Sequence, residues 1–210
     1  AGWGTVYTNT PAGRLAWRQW ARSVGGNPLE PLYSYNDAGE LSGVDYSDGT
    51  ADVTYGYNRR GQQTSIAQSG GLTTTFTFND AGAVLTESYS GGVLNGLSVT
   101  NAYDQYLRRT NLTARNGATV LAKTTYGYDA ASRLKTVSDG TNTAAYSYLA
   151  NSPLLENVWF TNNTTLRMTT TKAYDYLNRL TGITSTAGGS NVAVFNYANN
   201  SANQRTAITN

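Results

Sequence analysis

The sequence lacks cysteine and histidine altogether, although it is 210 residues long. Disulfide bridges, thiolate metal sites and the Ser-His-Asp or Cys-His groups of hydrolases therefore cannot be assembled from it. No apolar run approaches the length of a membrane span, so no spanning segment is predicted. Charge is scarce too: 13% of residues are charged and the formal net charge is +2. So small a charge does not indicate a nucleic-acid or anionic-membrane partner.

Glycine and tyrosine are what the chain has in abundance, with 22 Gly and 16 Tyr. Aromatic and β-branched residues alternate with polar ones, a pattern typical of β-strands. Tyrosine can bury a large apolar ring while its hydroxyl stays hydrogen-bonded or wet. We therefore expect an all-β protein in which tyrosine contributes much of the buried surface.

A repeated unit runs along nearly the whole sequence, and its clearest copy begins at Thr124. Tyr126 and Tyr128 stand at positions i and i+2, so in a strand both rings leave from the same face. Copies recur at a spacing of about 20 to 26 residues, which accommodates two strands and two turns of ordinary length. Each copy is therefore predicted to be one β-hairpin. The aromatic pairs of the other copies are Tyr33 with Tyr35, Tyr55 with Tyr57, Phe76 with Phe78, Tyr146 with Tyr148 and Phe195 with Tyr197, and single-aromatic versions occur at Tyr103 and Tyr174.

Turn-forming residues follow the aromatic positions. Asp or Asn comes next in most copies, and both tolerate positive φ or cap their own backbone. A glycine and then an apolar residue often complete the unit. These structural repeat positions include Asp104, Asp129 and Asp175, then Gly39, Gly61 and Gly82, then Leu41, Leu134 and Leu180.

The predicted fold is an array of antiparallel β-hairpins forming one long curled or spiralling sheet. About 16 to 18 strands would make a sheet too wide to stay open and flat, so it should curl around a cavity as part of a hollow shell or tube. Residues 1–31 are expected to be an irregular, degenerate repeat, and residues 32–210 the regular strip, which we expect to be a fragment of a longer chain. Within the first part, residues 15–22 favour a strand, with a helix over residues 14–22 as the alternative.

Three copies carry a family likeness. Residues 126–134 (YGYDAASRL), 33–41 (YSYNDAGEL) and 174–180 (YDYLNRL) closely resemble the YD repeat of the Rhs, or rearrangement hotspot, proteins. That family includes the C components of bacterial insecticidal toxin complexes and the animal teneurins. The resemblance implies a β-strip that spirals into a hollow shell, which encloses a toxic domain in the bacterial proteins and serves adhesion in teneurins. The Asp-Pro-x-Gly-Leu segment of the family's core region is not found in this sequence.

Other motifs give only weak signals for chemistry. Ser132 and Lys135 have the S-x-x-K spacing of serine acyltransferases, but an offset of three on a strand would send them to opposite faces. Asp45, Asp48 and Asp52 form an acidic run that does not match a known calcium loop. No catalytic, cofactor or metal site is therefore predicted.

Exposed tryptophans are the one feature that suggests a ligand. Trp17 and Trp20, with Trp3 and the tyrosine ladder, could stack against sugar rings, but a place on the buried face of the sheet or at the end of the ribbon is the favoured explanation.

The leading hypothesis is a structural, non-catalytic scaffold of a secreted or surface bacterial protein, whose partners would be the rest of its own chain, an encapsulated toxin or further copies of itself. The alternative is a glycan-binding or adhesive module. An enzyme is the third hypothesis, and the sequence offers it no site.

Overall fold

The computed structural model describes residues 4–21 and 23–210. Over this part of the chain it contains β-strands and one short 3-10 turn, Gly92–Leu94. The strands are β1 (Val6–Asn9), β2 (Leu15–Gln19), β3 (Ser23–Val24), β4 (Asn27–Pro28), β5 (Leu32–Tyr35), β6 (Leu41–Asp45), β7 (Val53–Tyr57), β8 (Gln63–Gln68), β9 (Thr73–Phe78), β10 (Val84–Ser90), β11 (Leu97–Tyr103), β12 (Arg109–Asn116), β13 (Thr119–Tyr128), β14 (Leu134–Ser138), β15 (Asn142–Tyr148), β16 (Leu155–Asn162), β17 (Thr165–Tyr174), β18 (Leu180–Ala187), β19 (Ser190–Asn199) and β20 (Arg205–Thr209).

Within the described residues, eighteen of these strands belong to one sheet, and β3 and β4 form a separate two-stranded sheet. The prediction of an all-β array of antiparallel hairpins is confirmed. The segment predicted as a strand from residue 15 contains β2, so the helical alternative for it is wrong. The chain divides into two compact units, one containing the residues up to Asn101 with Ala114–Leu121 and the other containing Ala102–Thr113 with Ala122–Asn210.

The first unit is a meander in which each strand pairs with the next. β1 pairs with β2, β2 with β5, and pairing then continues in chain order to β11, always antiparallel. Residues between β2 and β5 leave the sheet and form the small β3–β4 hairpin before β5 resumes the main ladder. The N-terminal hairpin, predicted to be degenerate, therefore pairs within the same sheet as the regular copies.

The second unit repeats the pattern from β13 to β20. Each of these strands is antiparallel to its predecessor, and the register shifts by a β-bulge beside a repeat aromatic in several hairpins. The shift between Gly127 and Tyr128 is one such bulge, and that between Ala173 and Tyr174 is another. A bulge adds a residue to one strand and increases the local twist. In these hairpins the added twist therefore falls at the point where the turn begins.

The two faces of the sheet differ in chemistry because side chains alternate along each strand. In the second unit, successive paired positions give an apolar row from Tyr126 through Val137 and Ala144 to Phe160 and Met168. In the first unit, a row of small and hydroxyl residues lies on the face opposite to that of Tyr55: Gly56, Ser65, Thr75, Ser88 and Ser98.

The core is thin, as a single sheet requires. Among the described residues, the buried apolar side chains are Leu29, Val44 and Val158, together with Pro31. Most repeat tyrosines are half-buried, so each contributes part of a ring and not a whole side chain. Stability is therefore spread along the strip through contacts between neighbouring hairpins, as expected for repeat proteins.

Candidate functional site

The site that recurs in every well-formed copy is the turn after the aromatic pair. In the copy at Asp129, the Asp129 N–H donates to the Arg133 carbonyl at 2.9 Å and the Ser132 N–H donates to the Asp129 carbonyl at 3.0 Å. The fourth residue of the turn takes positive φ, as in a type I turn followed by a G1 bulge. Residues at this position are Gly39, Gly61, Gly82, Leu107, Ser132, Asn178 and Asn203.

An aspartate closes this turn with an arginine four residues later. Asp129 Oδ1 accepts the backbone N–H groups of Ala131 and Arg133, and Asp129 Oδ2 accepts Arg133 Nε at 2.7 Å. Asp104 with Arg108 and Asp175 with Arg179 repeat the same contacts. Each side chain thereby satisfies backbone donors that the turn leaves free. We call this arrangement the clasp.

Three of the four copies that begin with asparagine invert the polarity of the clasp, and the fourth has Ala83 in the partner position, which offers no polar side chain. Asn36 Nδ2 donates to Glu40 Oε2 at 2.7 Å, and Asn58 Nδ2 donates to Gln62 Oε1 at 2.8 Å. The final copy does the same with Asn200 and Gln204. An amide offers a donor where a carboxylate offers an acceptor. The partner four residues later must therefore be an acceptor, which is why Arg gives way to Glu or Gln.

The acidic clasps are ionised more readily than free aspartate. At Asp129 and Asp175, hydrogen bonds from the backbone and side chain of the partner arginine outweigh partial burial and lower the pKa from 3.8. At Asp104, partial burial opposes ionisation most strongly, but hydrogen bonds from Arg108 and Tyr106 together lower the pKa. The charged form of each clasp is the one that the fold stabilises.

Each clasp also contacts the turn of the next copy. Arg133 Nη1 donates to the Ser152 carbonyl at 2.5 Å, and Arg179 Nη1 donates to the Asn200 carbonyl at 2.8 Å. Arg108 Nη1 reaches Ser132 Oγ at 3.0 Å. The arginine of one turn thus tethers the following one, about one repeat further along the chain.

The arginine also covers an aromatic ring of the next copy. The Arg133 guanidinium lies 4.4 Å from the ring centroid of Tyr148, and that of Arg108 lies 4.6 Å from Tyr128. Such stacking is favourable because the ring face is electronegative. The clasp therefore joins successive hairpins through charge, hydrogen bonds and ring contact together.

The second aromatic of most pairs, where it is a tyrosine, forms a link in the opposite direction. The Tyr148 hydroxyl donates to the Leu134 carbonyl at 2.7 Å, and the Tyr57 hydroxyl donates to the Leu41 carbonyl at 2.9 Å. Each acceptor is the first residue of the strand that precedes the tyrosine's own strand. The same bond joins Tyr35 to Leu15, Tyr128 to Arg109 and Tyr174 to Leu155. We call these bonds tyrosine staples.

The predicted repeat residues have different structural roles in the hairpins. The predicted glycines are the positive-φ residues of the turns, and the predicted leucines open the returning strands. Tyr174 is the single aromatic of its copy; it occupies the position of the second aromatic and forms a staple. Phe78 occupies the same position in its own copy but has no hydroxyl to donate. Four of the second aromatics form staples: Tyr35, Tyr57, Tyr128 and Tyr148.

The predicted pair Phe195 and Tyr197 departs from this pattern. Both residues lie in β19, as predicted, but no staple from the Tyr197 hydroxyl is found among the described residues. The Arg205 guanidinium lies 4.2 Å from the centroid of the half-buried Tyr197 ring, and Phe195 is 36% exposed. Arg205 belongs to the following strand, β20, whereas Tyr128 and Tyr148 are covered by an arginine of the preceding turn. Tyr197 therefore differs from the other second aromatics in its contacts, because the arginine that covers its ring belongs to its own hairpin.

Tyr55 lies among other tyrosines in the first unit. Burial raises the pKa of Tyr55 most, and the nearby Tyr46, Tyr57 and Tyr33 raise it further. Neighbouring phenols have this effect because each disfavours a second negative charge beside its own.

The residue four places after the Asp or Asn was not singled out by the sequence reasoning. The signal was nonetheless present, since Asp is followed there by Arg in three copies and Asn by Glu or Gln in three others. The residue varies from copy to copy, so its role is visible only when it is considered together with the residue that opens the turn.

A cleft of about 480 Å³ in the first unit contains Trp20 but not Trp17. Trp17 pairs with Leu32 across β2 and β5 and is half-buried, while Trp20 lies just beyond β2 with 42% of its surface exposed. Trp3 lies outside the described residues. The structure therefore does not bring the predicted tryptophans together at one cleft.

The catalytic and metal candidates occupy structural positions. Ser132 is the positive-φ residue of a turn and accepts from Arg108, while Lys135 lies in β14. Asp52 and Asp48 accept the backbone N–H groups of Tyr46 and Thr50. Over the described part of the chain, no group of three or more acidic, His or Cys side chains is close enough to hold a metal ion. In residues 4–21 and 23–210, no helix is long and apolar enough to cross a membrane.

Comparison with known proteins gives a fold but no sequence family. No family model matches the chain, and no curated protein matches it. The crystal structure of TcdB2-TccC3 without its hypervariable C-terminal region matches with a TM-score of 0.69 at 16% identity, over 96% of this chain and 12% of that one. Another crystal structure of TcdB2-TccC3 matches with a TM-score of 0.64 at 16% identity, over 93% and 12% of the two chains.

A third match is the Photorhabdus luminescens Tc holotoxin pore, with a TM-score of 0.58 and 16% identity over 96% of this chain and 10% of that one. The present chain thus spans only about a tenth of the length of these structures. It shares with part of them an Rhs-like β-sheet fold, which agrees with the resemblance seen in the repeats.

Proposed function

We propose that this chain is a structural, non-catalytic YD-repeat scaffold of an Rhs-like protein, forming part of a wall that encloses a cargo such as a toxin. The observation on which the proposal rests is the two-way linkage between copies: clasps reach forward along the chain and tyrosine staples reach back. Both links recur through the repeats, whereas reactive groups do not converge. The Asp, Arg and Tyr side chains that could have been catalytic instead join neighbouring hairpins.

The chemistry of the two faces supports the enclosing role. A single sheet leaves both faces without a second layer of its own, and an apolar face is stable only when something packs against it. The row from Tyr126 to Met168 is such a face. In a wall around cargo, this row would face the interior, where the cargo could pack against it.

Two adjacent threonines on β9 allow a direct test of enclosure in the natural gene product. Thr74 pairs with Tyr89 and Thr75 with Ser88, so the two side chains point to opposite faces. The 210 residues contain no cysteine, so Thr74→Cys and Thr75→Cys each place one thiol on a known face of this segment. Both should react with a small maleimide, while only one should react with a maleimide on a large polymer. Equal reaction of both with the large reagent would contradict enclosure.

The proposal extends to location and partners. A wall protein of this kind would act outside the cell or at the bacterial surface, with the rest of its own chain or an enclosed toxin as its main partner. Self-assembly would use the terminal strands, because unpaired edges accept further strands. Turnover above background in a broad hydrolase screen would contradict the non-catalytic assignment.

A further inference from the structure

The cleft containing Trp20 is held by the segment that interrupts the regular strip between β2 and β5. The backbone N–H of Trp20 donates to the Leu29 carbonyl at 2.9 Å, and the backbone N–H of Arg18 donates to the Pro31 carbonyl at 3.2 Å. Leu29 and Pro31 are themselves buried, so the segment is anchored at the base of the cleft. The strip thus departs from its repeat at the place where this cleft is formed.

Three aromatic rings, from Trp20, Tyr33 and Tyr46, line the cleft. The volume of about 480 Å³ lies within the usual range for small-molecule sites. The Arg18 guanidinium lies 3.6 Å from the centroid of the Trp20 ring, which holds the indole in place. Because 42% of Trp20 remains exposed, a flat ligand can reach ring surface that is already ordered.

The polar groups of the cleft carry both signs of charge. Arg18 Nε is shielded from solvent and has no hydrogen-bond partner among the described residues. Arg18 also lines the cleft, and its guanidinium has further N–H donors that a ligand acceptor can use. Asp48 also lines the cleft, with its Oδ1 held by the Thr50 N–H at 3.1 Å. A carboxylate oxygen has capacity for further donors.

The aromatic rings together with Arg18 and Asp48 favour a neutral polar ligand over a charged or an apolar one. An anion would meet Asp48, a cation would meet Arg18, and a purely apolar ligand would leave both charges desolvated. A neutral ring bearing several hydroxyls can stack on the aromatic faces while donating to Asp48 and accepting from Arg18. We propose that the Trp20 cleft binds a neutral pyranose unit of a saccharide. The site is independent of the scaffold role, since it uses none of the clasps or staples.

Calorimetric titration of the natural gene product with neutral hexasaccharides tests the site: cellohexaose, maltohexaose, mannohexaose and chitohexaose, with hexagalacturonate as the charged comparison. We expect at least one neutral probe to bind, and Trp20→Ala and Asp48→Asn each to weaken it by about tenfold or more. Asn at 48 keeps an oxygen for the Thr50 N–H, so the loop should stay folded. Trp17→Phe, on a tryptophan outside the cleft, should leave affinity unchanged.

Thr50→Val provides a second test at an exposed lining residue if Trp20→Ala proves unstable, and it too should weaken binding. The proposal is overturned if no neutral probe binds at a saccharide concentration of about 10 mM, which exceeds the Kd of about 1 mM that is typical of weak binding. It is equally overturned if Trp20→Ala and Thr50→Val, both folded, bind as the unmodified protein does. Preferential binding of hexagalacturonate would overturn the selection for a neutral ring.

Discussion

The tyrosine staple at Tyr148 gives the sharpest quantitative prediction. Tyr148→Phe removes one hydroxyl, and with it the 2.7 Å hydrogen bond to the Leu134 carbonyl. Packing should be preserved, because Phe78 already occupies the equivalent place in another copy. The loss is then that of one partly buried hydrogen bond, about 0.5–1.5 kcal/mol of unfolding free energy.

Urea unfolding followed by circular dichroism and by tyrosine fluorescence measures this loss. The midpoint should fall while the slope stays constant, because the surface exposed on unfolding is unchanged. Tyr146→Phe is the matched control, since no hydrogen bond of the Tyr146 hydroxyl is found among the described residues. Equal destabilisation by the two variants would refute the staple as the cause.

The dependence of the free energy of unfolding on pH, at alkaline pH, gives an independent check on the same hydroxyl. Burial raises the pKa of Tyr148, and the charge of Asp129 raises it further, above the ordinary value of 10.0. A group whose folded pKa is raised contributes stability below its unfolded pKa and loses it as the pH rises through the folded pKa. Stability should therefore decline above about pH 10, and less steeply in Tyr148→Phe. Identical pH profiles would count against the burial of this hydroxyl beside Asp129 as the cause of the decline.

Three further predictions concern the other links. Phe78→Tyr should raise the urea midpoint, because the five observed staples place its acceptor at the first residue of β8; an unchanged or lower midpoint contradicts the rule. Asp129→Asn should destabilise by setting the amide donor against Arg133 Nε. Adding Arg133→Gln should recover part of that loss by recreating an Asn–Gln clasp, although the Arg133 contacts with Ser152 and Tyr148 are lost; a double-mutant cycle measures the coupling. Leu107→Gly should raise the free energy of unfolding by about 0.5 kcal/mol, because glycine adopts the left-handed backbone at φ 60 without the steric cost that leucine has there. The added entropy of the unfolded glycine is smaller than this cost. Because the leucine side chain is 53% exposed, little buried apolar surface is lost.

Acid should weaken the clasps collectively. Because the pKa values of Asp104, Asp129 and Asp175 are lowered from 3.8 in the folded chain, their stabilisation is complete above that value and is lost as the pH falls through the folded pKa. The midpoint of thermal unfolding should fall below about pH 4. The triple Asp→Asn variant should lack that part of the decline, and an equal decline in both proteins would contradict the assignment.

Much of the fold was predictable because its signals are local. Aromatic residues at i and i+2, turn residues after them and a repeat near hairpin length specify strand, turn and strand within each copy. The polarity of the clasp is equally local, since Asp129 with Arg133 and Asn58 with Gln62 are each four residues apart. That pairing could have been read from the sequence alone.

What the tertiary structure decided depends on contacts between copies. The acceptor of each staple lies 14 to 20 residues before its tyrosine, and the bulges that set the register determine which carbonyl it reaches. Tyr197 has the same sequence signature as Tyr148 but contacts the strand after it, a difference that the repeat pattern does not encode. The separation of Trp17 from the Trp20 cleft has a related cause, because residues between β2 and β5 leave the sheet and return. Local periodicity specifies which residues form a hairpin, but cross-strand register and loop path determine which side chains meet, and these depend on the packing of the whole sheet.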